Sequence, residues 1–163
     1  MYNKGEYIIY GNNGVCRVQD FMESDVMGEG KLFYVLNPLS SRGSTIFCPV
    51  DNQKVFMRPV ISRSEAEALI DGIPEYEDMV IRDVRPQEQQ YKEILQKYDC
   101  TVFLRFIKAL LDRKKDREAA GRRITAVDEK YLVLARDSLL NELSVALDMD
   151  VDEVDQMLAE KMA

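Results

Sequence analysis

The first 60 residues alternate short apolar runs with turn-forming residues. The runs are rich in β-branched and aromatic side chains, which favour strands. Glycine, asparagine and proline, the residues that favour turns, separate them. Five strands are predicted, at residues 6–10, 15–22, 31–37, 44–49 and 56–60. This spacing is typical of a small antiparallel barrel.

From residue 62 onwards the apolar positions follow the 3.6-residue period of helices. Ser62 and Glu65 have capping-box spacing, which predicts a short helix to about Ile70. A charged linker, 75–85, follows, and Pro86 suits the first turn of the next helix.

Three or four further helices are predicted from their apolar stripes. The stripes comprise Tyr91, Ile94, Leu95 and Tyr98, then Phe103, Phe106, Ile107 and Leu110, then Leu132, Ala135, Leu139, Leu143 and Ala146. Thr125 is expected to cap the longest of these helices, and Asp150 with Glu153 to cap the last.

The whole pattern predicts an α+β protein of two domains. A five-stranded antiparallel barrel is expected over 1–60, a short helix and linker over 61–85, and a compact helical domain over 86–163, giving about four to five helices in all.

The chain contains no histidine. This removes the commonest general base, nucleophile activator and metal ligand. The three cysteines, Cys16, Cys48 and Cys100, form no CxxC pair and are expected to be buried free thiols. There is no glycine-rich phosphate loop. We therefore expect no catalytic residue, no metal and no cofactor, and an enzyme is the least favoured function class.

Hydropathy argues against a membrane location. No run approaches the roughly 20 apolar residues that span a bilayer, and the N-terminus lacks a basic segment followed by an apolar run. The cytoplasm is the expected compartment, with no membrane partner.

The net charge of −7 is unevenly distributed. Eight basic and three acidic residues lie between Arg105 and Arg123, whereas eight acidic and no basic residues lie between Asp137 and Glu160. A charge run is most simply a solvated helix face. The alternative is a basic patch that contacts phosphates while the acidic remainder limits non-specific binding.

Three segments resemble parts of the bacterial CarD/CdnL transcription regulators. KGEYIIYGNNGVCRV at 4–18 resembles their opening strand and turn, and STIFCPVDN at 44–52 resembles the strand and turn that follow. Residues 109–147 resemble the family's helical pattern. That last resemblance is carried by Asp116, Ile124, Thr125, Leu132, Ala135, Arg136, Leu139, Glu142, Leu143 and Ala146.

The resemblance implies a Tudor-like barrel, similar to one in transcription-repair coupling factor, that docks on the β subunit of bacterial RNA polymerase. Residues 45–49 are a candidate edge strand for pairing with a partner, with Ile46 and Phe47 on opposite faces. Polymerase contacts are expected from Val26, Lys31, Arg42, Ile46, Phe47 and Pro49.

The resemblance also implies a helical domain that reaches promoter DNA at the upstream edge of the transcription bubble. Family members carry a tryptophan wedge there, in an NW-x-x-RY segment. Here Gln87 stands in its place, while Tyr91 is retained. Glutamine can donate hydrogen bonds in the minor groove but supplies no apolar wedge. DNA contacts are expected from Arg85, Gln87, Lys92, Arg122, Arg123 and Lys130.

The barrel departs from the family as well. Ser24 and Phe47 stand where family members often carry arginines that contact polymerase. The contacts with polymerase are therefore expected to differ from those of typical family members.

The expected function is that of a monomeric transcription regulator that binds the β subunit and modulates open-complex formation or stability, with weakened or altered DNA contact. The alternative is a polymerase-binding adaptor that no longer touches DNA, which the missing tryptophan and the net charge of −7 favour. Salt-dependent DNA binding separates the two. Whether the effect is activation or repression stays open.

Overall fold

A computed structural model describes residues 1–25, 30–83 and 86–163. The chain forms two compact units, Met1–Ile61 and Ser62–Ala163. Within the described ranges, every strand lies in the first unit and every α-helix in the second. The predicted α+β class is confirmed.

The first unit is a single antiparallel sheet of five described strands in the order β4-β3-β2-β1-β5. The strands are β1 (Tyr7–Tyr10), β2 (Val15–Ser24), β3 (Lys31–Pro38), β4 (Ile46–Pro49) and β5 (Met57–Pro59). All five predicted strands are confirmed, with differences at their ends. β4 begins at Ile46 rather than at residue 44, because Ser44 belongs to a turn in which its N–H donates to the Ser41 carbonyl.

Two glycines make the turn between β1 and β2. Gly11 has φ +47° and Gly14 has φ +67°, a region that L-residues with a Cβ rarely adopt. The Tyr10 N–H donates to the Gly14 carbonyl at 2.9 Å and closes the turn. The predicted turn at 11–14 is therefore confirmed.

The sheet is curled on itself, as expected of a small Tudor-like barrel. A register shift between Val18 and Asp20 marks a bulge in β2, which bends a strand and increases its twist. The thiol of Cys48 in β4 lies 3.9 Å from the sulfur of Met57 in β5, so side chains of the two end strands meet. The barrel core consists of Ile8, Cys16, Val18, Tyr34, Leu36 and Cys48.

The second unit contains five described α-helices. They are α1 (Arg63–Asp71), α2 (Gln87–Leu95), α3 (Cys100–Ala119), α4 (Ala126–Leu147) and α5 (Val151–Met162). The side chains of Ser62 and Thr125 cap α1 and α4 as predicted. Asp150 precedes α5 but makes no side-chain capping bond, so the predicted capping interaction there is wrong. The acidic first turn of α5, Asp152 and Glu153, favours that helix end through the helix dipole instead.

The core of the second unit lies between α3, α4 and α5. Phe106 and Leu110 of α3, Leu139 and Leu143 of α4, and Val154 of α5 are fully buried. This agrees with the predicted stripes on α3 and α4, although Ala146 is only half-buried.

The predicted stripe on α2 is only partly buried, whereas α1 ends at Asp71, close to the predicted Ile70. The stripe on α2 buries Tyr91 alone, while Ile94 and Leu95 are half-buried and Tyr98 lies beyond the helix at φ +49°. Arg63 of α1 donates to the Leu147 carbonyl at the end of α4 at 2.9 Å, so α1 belongs to the helical unit.

Candidate protein and nucleic-acid interfaces

β4 is an edge strand, and no described strand pairs with its outer side. The Val50 N–H donates to the Leu32 carbonyl at 3.1 Å. Hydrogen-bonded and non-bonded pairs alternate along an antiparallel ladder, so the backbone groups of Phe47 and Pro49 point away from β3. Proline lacks an N–H, which is tolerated where that position faces the open edge. The Phe47 N–H and carbonyl are therefore directed at the open edge.

The side chains of β4 agree with this outward presentation. Phe47 is 52% exposed, the largest exposed fraction of any aromatic side chain in the described ranges. Ile46 packs against the barrel core, and Pro49 is half-buried. β4 thus offers an aromatic side chain next to free backbone groups, as strand-adding interfaces require.

The remaining predicted polymerase contacts flank β4. Lys31 begins β3, and its Nζ lies 3.6 Å from Asp51 Oδ2 just beyond β4. Arg42 is exposed in the connection between β3 and β4. Val26 lies outside the described residues. The structure therefore brings five of the six predicted positions to β4 or to its two ends.

Gln87, a predicted DNA contact, is the first residue of α2. Its Nε2 donates to the Arg82 carbonyl at 3.1 Å and to Gln90 Oε1. Both amide hydrogens are thus used within the chain. Arg85, the predicted neighbour on the DNA side, lies outside the described residues.

Lys130, another predicted DNA contact, is also engaged within the unit. Its Nζ lies 3.0 Å from Glu88 Oε1, which also accepts a hydrogen bond from Tyr131 Oη at 2.9 Å. The hydrogen bonds from Lys130 and Tyr131 lower the pKa of Glu88 below its ordinary value. Lys92 is exposed on α2.

The basic run from Arg105 to Arg123 divides into two parts. Arg105 Nε donates to the Glu77 carbonyl at 2.9 Å, and Lys108 Nζ to Asp78 Oδ1 at 2.7 Å. Arg113 Nη1 donates to Asp83 Oδ1 at 3.1 Å. The charged segment 77–83 therefore lies along α3, and its oxygen atoms accept hydrogen bonds from the basic side chains of the first part of the run.

The second part occupies the end of α3 and the turn into α4. In the part of the chain that the structure describes, these side chains form no ion pair: Lys114, Lys115, Arg117, Arg122 and Arg123. Arg122 and Arg123 are exposed in the turn. We call this group of five the hairpin tip.

A buried carboxylate that the sequence analysis did not single out connects three helices. Asp128 is fully buried. Its Oδ1 accepts from Tyr91 Oη at 2.6 Å, and its Oδ2 accepts from Arg113 Nε at 3.1 Å. The only sequence signal is its place three residues after the cap Thr125, where an acid usually has a capping role. Here the Asp128 side chain instead holds α2 against α3 and α4 through its bonds to Tyr91 and Arg113.

Residues 2–61 match the family model of the CarD-like/TRCF RID domain. The chain carries a CarD-like/TRCF RID domain. The match covers the first unit almost entirely and confirms the predicted resemblance there. The match supports an RNA polymerase-interacting, transcription-related role for this part of the chain. No curated protein is significantly similar to the chain.

The thiols of the RID domain are buried and free, as predicted. Burial raises the pKa of Cys16 to about 11 and also raises the pKa of Cys48. Cys100, in the helical unit, is buried too and donates to Glu142 Oε1 at 3.1 Å. A thiol held in its protonated form is a poor nucleophile and metal ligand.

Two other classes of site are absent from the described residues. Among residues 1–25, 30–83 and 86–163, no three metal-ligating side chains come together at a metal-binding distance. No helix in these same ranges combines the length and the apolar character needed to cross a bilayer.

Proposed function

We propose that the chain is a transcription regulator whose barrel binds the β subunit of bacterial RNA polymerase and whose helical unit modulates the formation or stability of the open promoter complex. It acts as a monomer in the cytoplasm and has no catalytic activity of its own. The open edge of β4, with Phe47 outward, is the observation that supports this proposal.

Docking takes place by strand addition. A strand of the β subunit pairs with the outward backbone groups of Phe47, and the phenyl ring fills a pocket on the partner. Aromatic anchors surrounded by polar groups account for most of the energy of such interfaces. Lys31 and Arg42 supply the polar surroundings and Val26 is a further predicted contact, while Ile46 and Pro49 shape the strand.

Contact with promoter DNA is weaker than in relatives that carry the tryptophan. Gln87 uses its amide hydrogens within the chain, and Lys130 is paired with Glu88. Phosphate contact therefore rests on Lys92, Arg122 and Arg123, with Arg85 as a further predicted contact. The result is a shifted equilibrium between polymerase–promoter states, which needs no chemical step.

A second candidate is a polymerase-binding adaptor that makes no DNA contact. The internal bonds of Gln87 and Lys130, together with the net charge of −7, favour it. The two candidates share the docking step and differ only in the salt dependence of binding to DNA.

The first experiment measures binding of the purified chain to RNA polymerase and to polymerase whose β-subunit lobe is deleted. We expect binding only to the intact enzyme. Phe47→Ala should weaken it about tenfold or more, since loss of a central aromatic anchor costs about 2 kcal/mol. Val133→Ala is the matched control, because Val133 has the same exposed fraction, 52%, but lies on α4. Equal binding to the two polymerases would contradict the proposal.

A further inference from the structure

The charged segment 77–83 lies along the basic side of α3 through three contacts. They join the Glu77 carbonyl to Arg105, Asp78 to Lys108, and Asp83 to Arg113. Each of the three basic side chains donates a hydrogen bond to an oxygen atom of this segment. The segment thus places acidic side chains along a basic face of α3.

These contacts are weak ones. The Lys108–Asp78 pair is exposed on both sides, and the Asp83 side chain is 83% exposed. Ion pairs in water contribute little to stability and are screened by salt. A polyanion that offers several phosphates at once can therefore compete with this segment.

The packing beneath the segment is loose as well. A cavity of about 180 Å³ lies between the segment and α3, lined by Met79 and Ile81 on one side and Ala109 on the other. Val80 is 80% exposed. Met79 and Ile81 are half-buried, so the apolar residues of the segment are only partly removed from water.

We propose that residues 77–83 act as an internal competitor that covers a phosphate-binding face of α3, formed by Arg105, Lys108 and Arg113. When nucleic acid displaces the segment, this face extends the phosphate-contacting surface of the hairpin tip. The inference rests on the proposed DNA contact of the helical unit.

The charges of α3 set the size of the effect. Asp112 and Asp116 line the same cavity and reduce the positive potential of the face. Arg113 keeps its bond to the buried Asp128, so displacement frees only its outer nitrogen. Two to three additional phosphate contacts are therefore the most that this face supplies.

The test compares the affinity of the full chain for a short DNA duplex at several salt concentrations. Asp78→Asn/Asp83→Asn removes the two competing charges and keeps the side-chain shapes. We expect at least about a threefold gain in affinity near 0.1 M salt, and a slope of log affinity against log salt steeper by about one to two. The control, Asp137→Asn/Glu160→Gln, makes the same change in net charge on exposed residues elsewhere in the unit.

A second pair of variants distinguishes cover of the basic side chains by the segment from general charge repulsion between the protein and DNA. Arg105→Gln/Lys108→Gln is made alone and together with Asp78→Asn/Asp83→Asn. If the segment acts by covering these bases, the gain from neutralising its acids disappears once the bases are gone. Circular dichroism checks that all variants fold.

Three results would overturn the inference: an equal gain in the control, a gain that persists without Arg105 and Lys108, or no DNA binding by any variant at low salt. Binding to polymerase is measured on the same samples. Its loss from the wild-type chain would count against the proposed function. Intact polymerase binding with either of the first two results counts only against the competitor role, whereas intact polymerase binding without any DNA binding also favours the adaptor.

Discussion

At the scale of single residues, the carboxylate of Asp128 determines how α2 meets α3 and α4. It is fully buried and accepts hydrogen bonds from Tyr91 and Arg113. A buried carboxylate without such partners costs several kcal/mol. The hydrogen bond that Tyr91 donates to Asp128 therefore holds α2, the helix that begins at Gln87, against α3 and α4.

We expect Tyr91→Phe to destabilise the helical unit by about 1–3 kcal/mol, because one oxygen of a buried carboxylate loses its donor. Tyr131→Phe is the matched control. Its hydroxyl binds Glu88, which keeps Lys130 as a partner, so the loss should be smaller. Urea unfolding followed by helical circular dichroism measures both. Equal losses of the free energy of unfolding would mean that the hydrogen bond to Asp128 contributes no more to stability than the bond to Glu88.

Tyr131 also gives the protein a dependence on alkaline pH. Burial, and then the hydrogen bond to Glu88, raise the pKa of Tyr131 from 10.0 to about 12. The folded state holds this proton more tightly than the unfolded chain, so the stabilisation is complete below pH 10 and is lost as pH rises towards 12. The free energy of unfolding of Tyr131→Phe should fall less steeply with pH across this window. Parallel curves for the two proteins would contradict the assignment.

At the scale of elements, the edge strand β4 combines a short ladder with an open side. Its inward pairs hold it to β3, and Cys48 anchors it in the core. The backbone groups of Phe47 face outward and take no part in that ladder. Edge strands with exposed backbone groups invite pairing, which natural sheets usually prevent. Here Pro49 removes one outward donor and limits the open stretch to the part around Phe47.

Phe47→Pro tests the backbone contribution directly. Proline at this position removes the outward N–H but no bond to β3, so the barrel should keep its fold. Polymerase binding should fall at least about fivefold below that of Phe47→Ala, since a further hydrogen bond is lost. Thermal unfolding of both variants reports on the fold. The same affinity for the two variants would show that only the phenyl ring matters.

At the scale of the whole molecule, the proposed function is divided between two units. The RID domain supplies the site for polymerase, and the helical unit carries the hairpin tip, whose basic side chains form no ion pair in the described part of the chain. The net charge of −7 disfavours free association with DNA. In the proposed function, contact with promoter DNA therefore depends on delivery by the docked barrel, which raises the local concentration of the tip.

Arg122→Glu/Arg123→Glu should weaken binding to an open complex and reduce the slope of log affinity against log salt by about two, one for each lost phosphate contact. Binding to polymerase alone should not change. Lys97→Glu/Lys161→Glu is the charge-matched control on exposed residues of the same unit. A wild-type chain that binds both forms equally at every salt concentration would favour the adaptor.

Much of this protein follows from the sequence by itself. Runs of β-branched and aromatic residues between turn formers predicted five strands, and the 3.6-residue period of apolar residues predicted the helices, because burial of one face is a local requirement that repeats along each helix. Local caps such as Ser62 and Thr125 also followed, since the donor and acceptor lie within one turn. Two of the three segments on which the resemblance was based, 4–18 and 44–52, lie within the range that matches the RID family model.

The tertiary structure alone decided how charged residues are used. The eight bases of Arg105–Arg123 are alike in sequence, yet three face segment 77–83 and five have no ion pair in the described part of the chain. Asp128 has the sequence position of a capping acid but lies buried between three helices. Electrostatic partners are set by distance in space, and these bonds join residues 15 to 37 positions apart. No periodicity along the chain encodes such contacts, because they form only after the helices have packed.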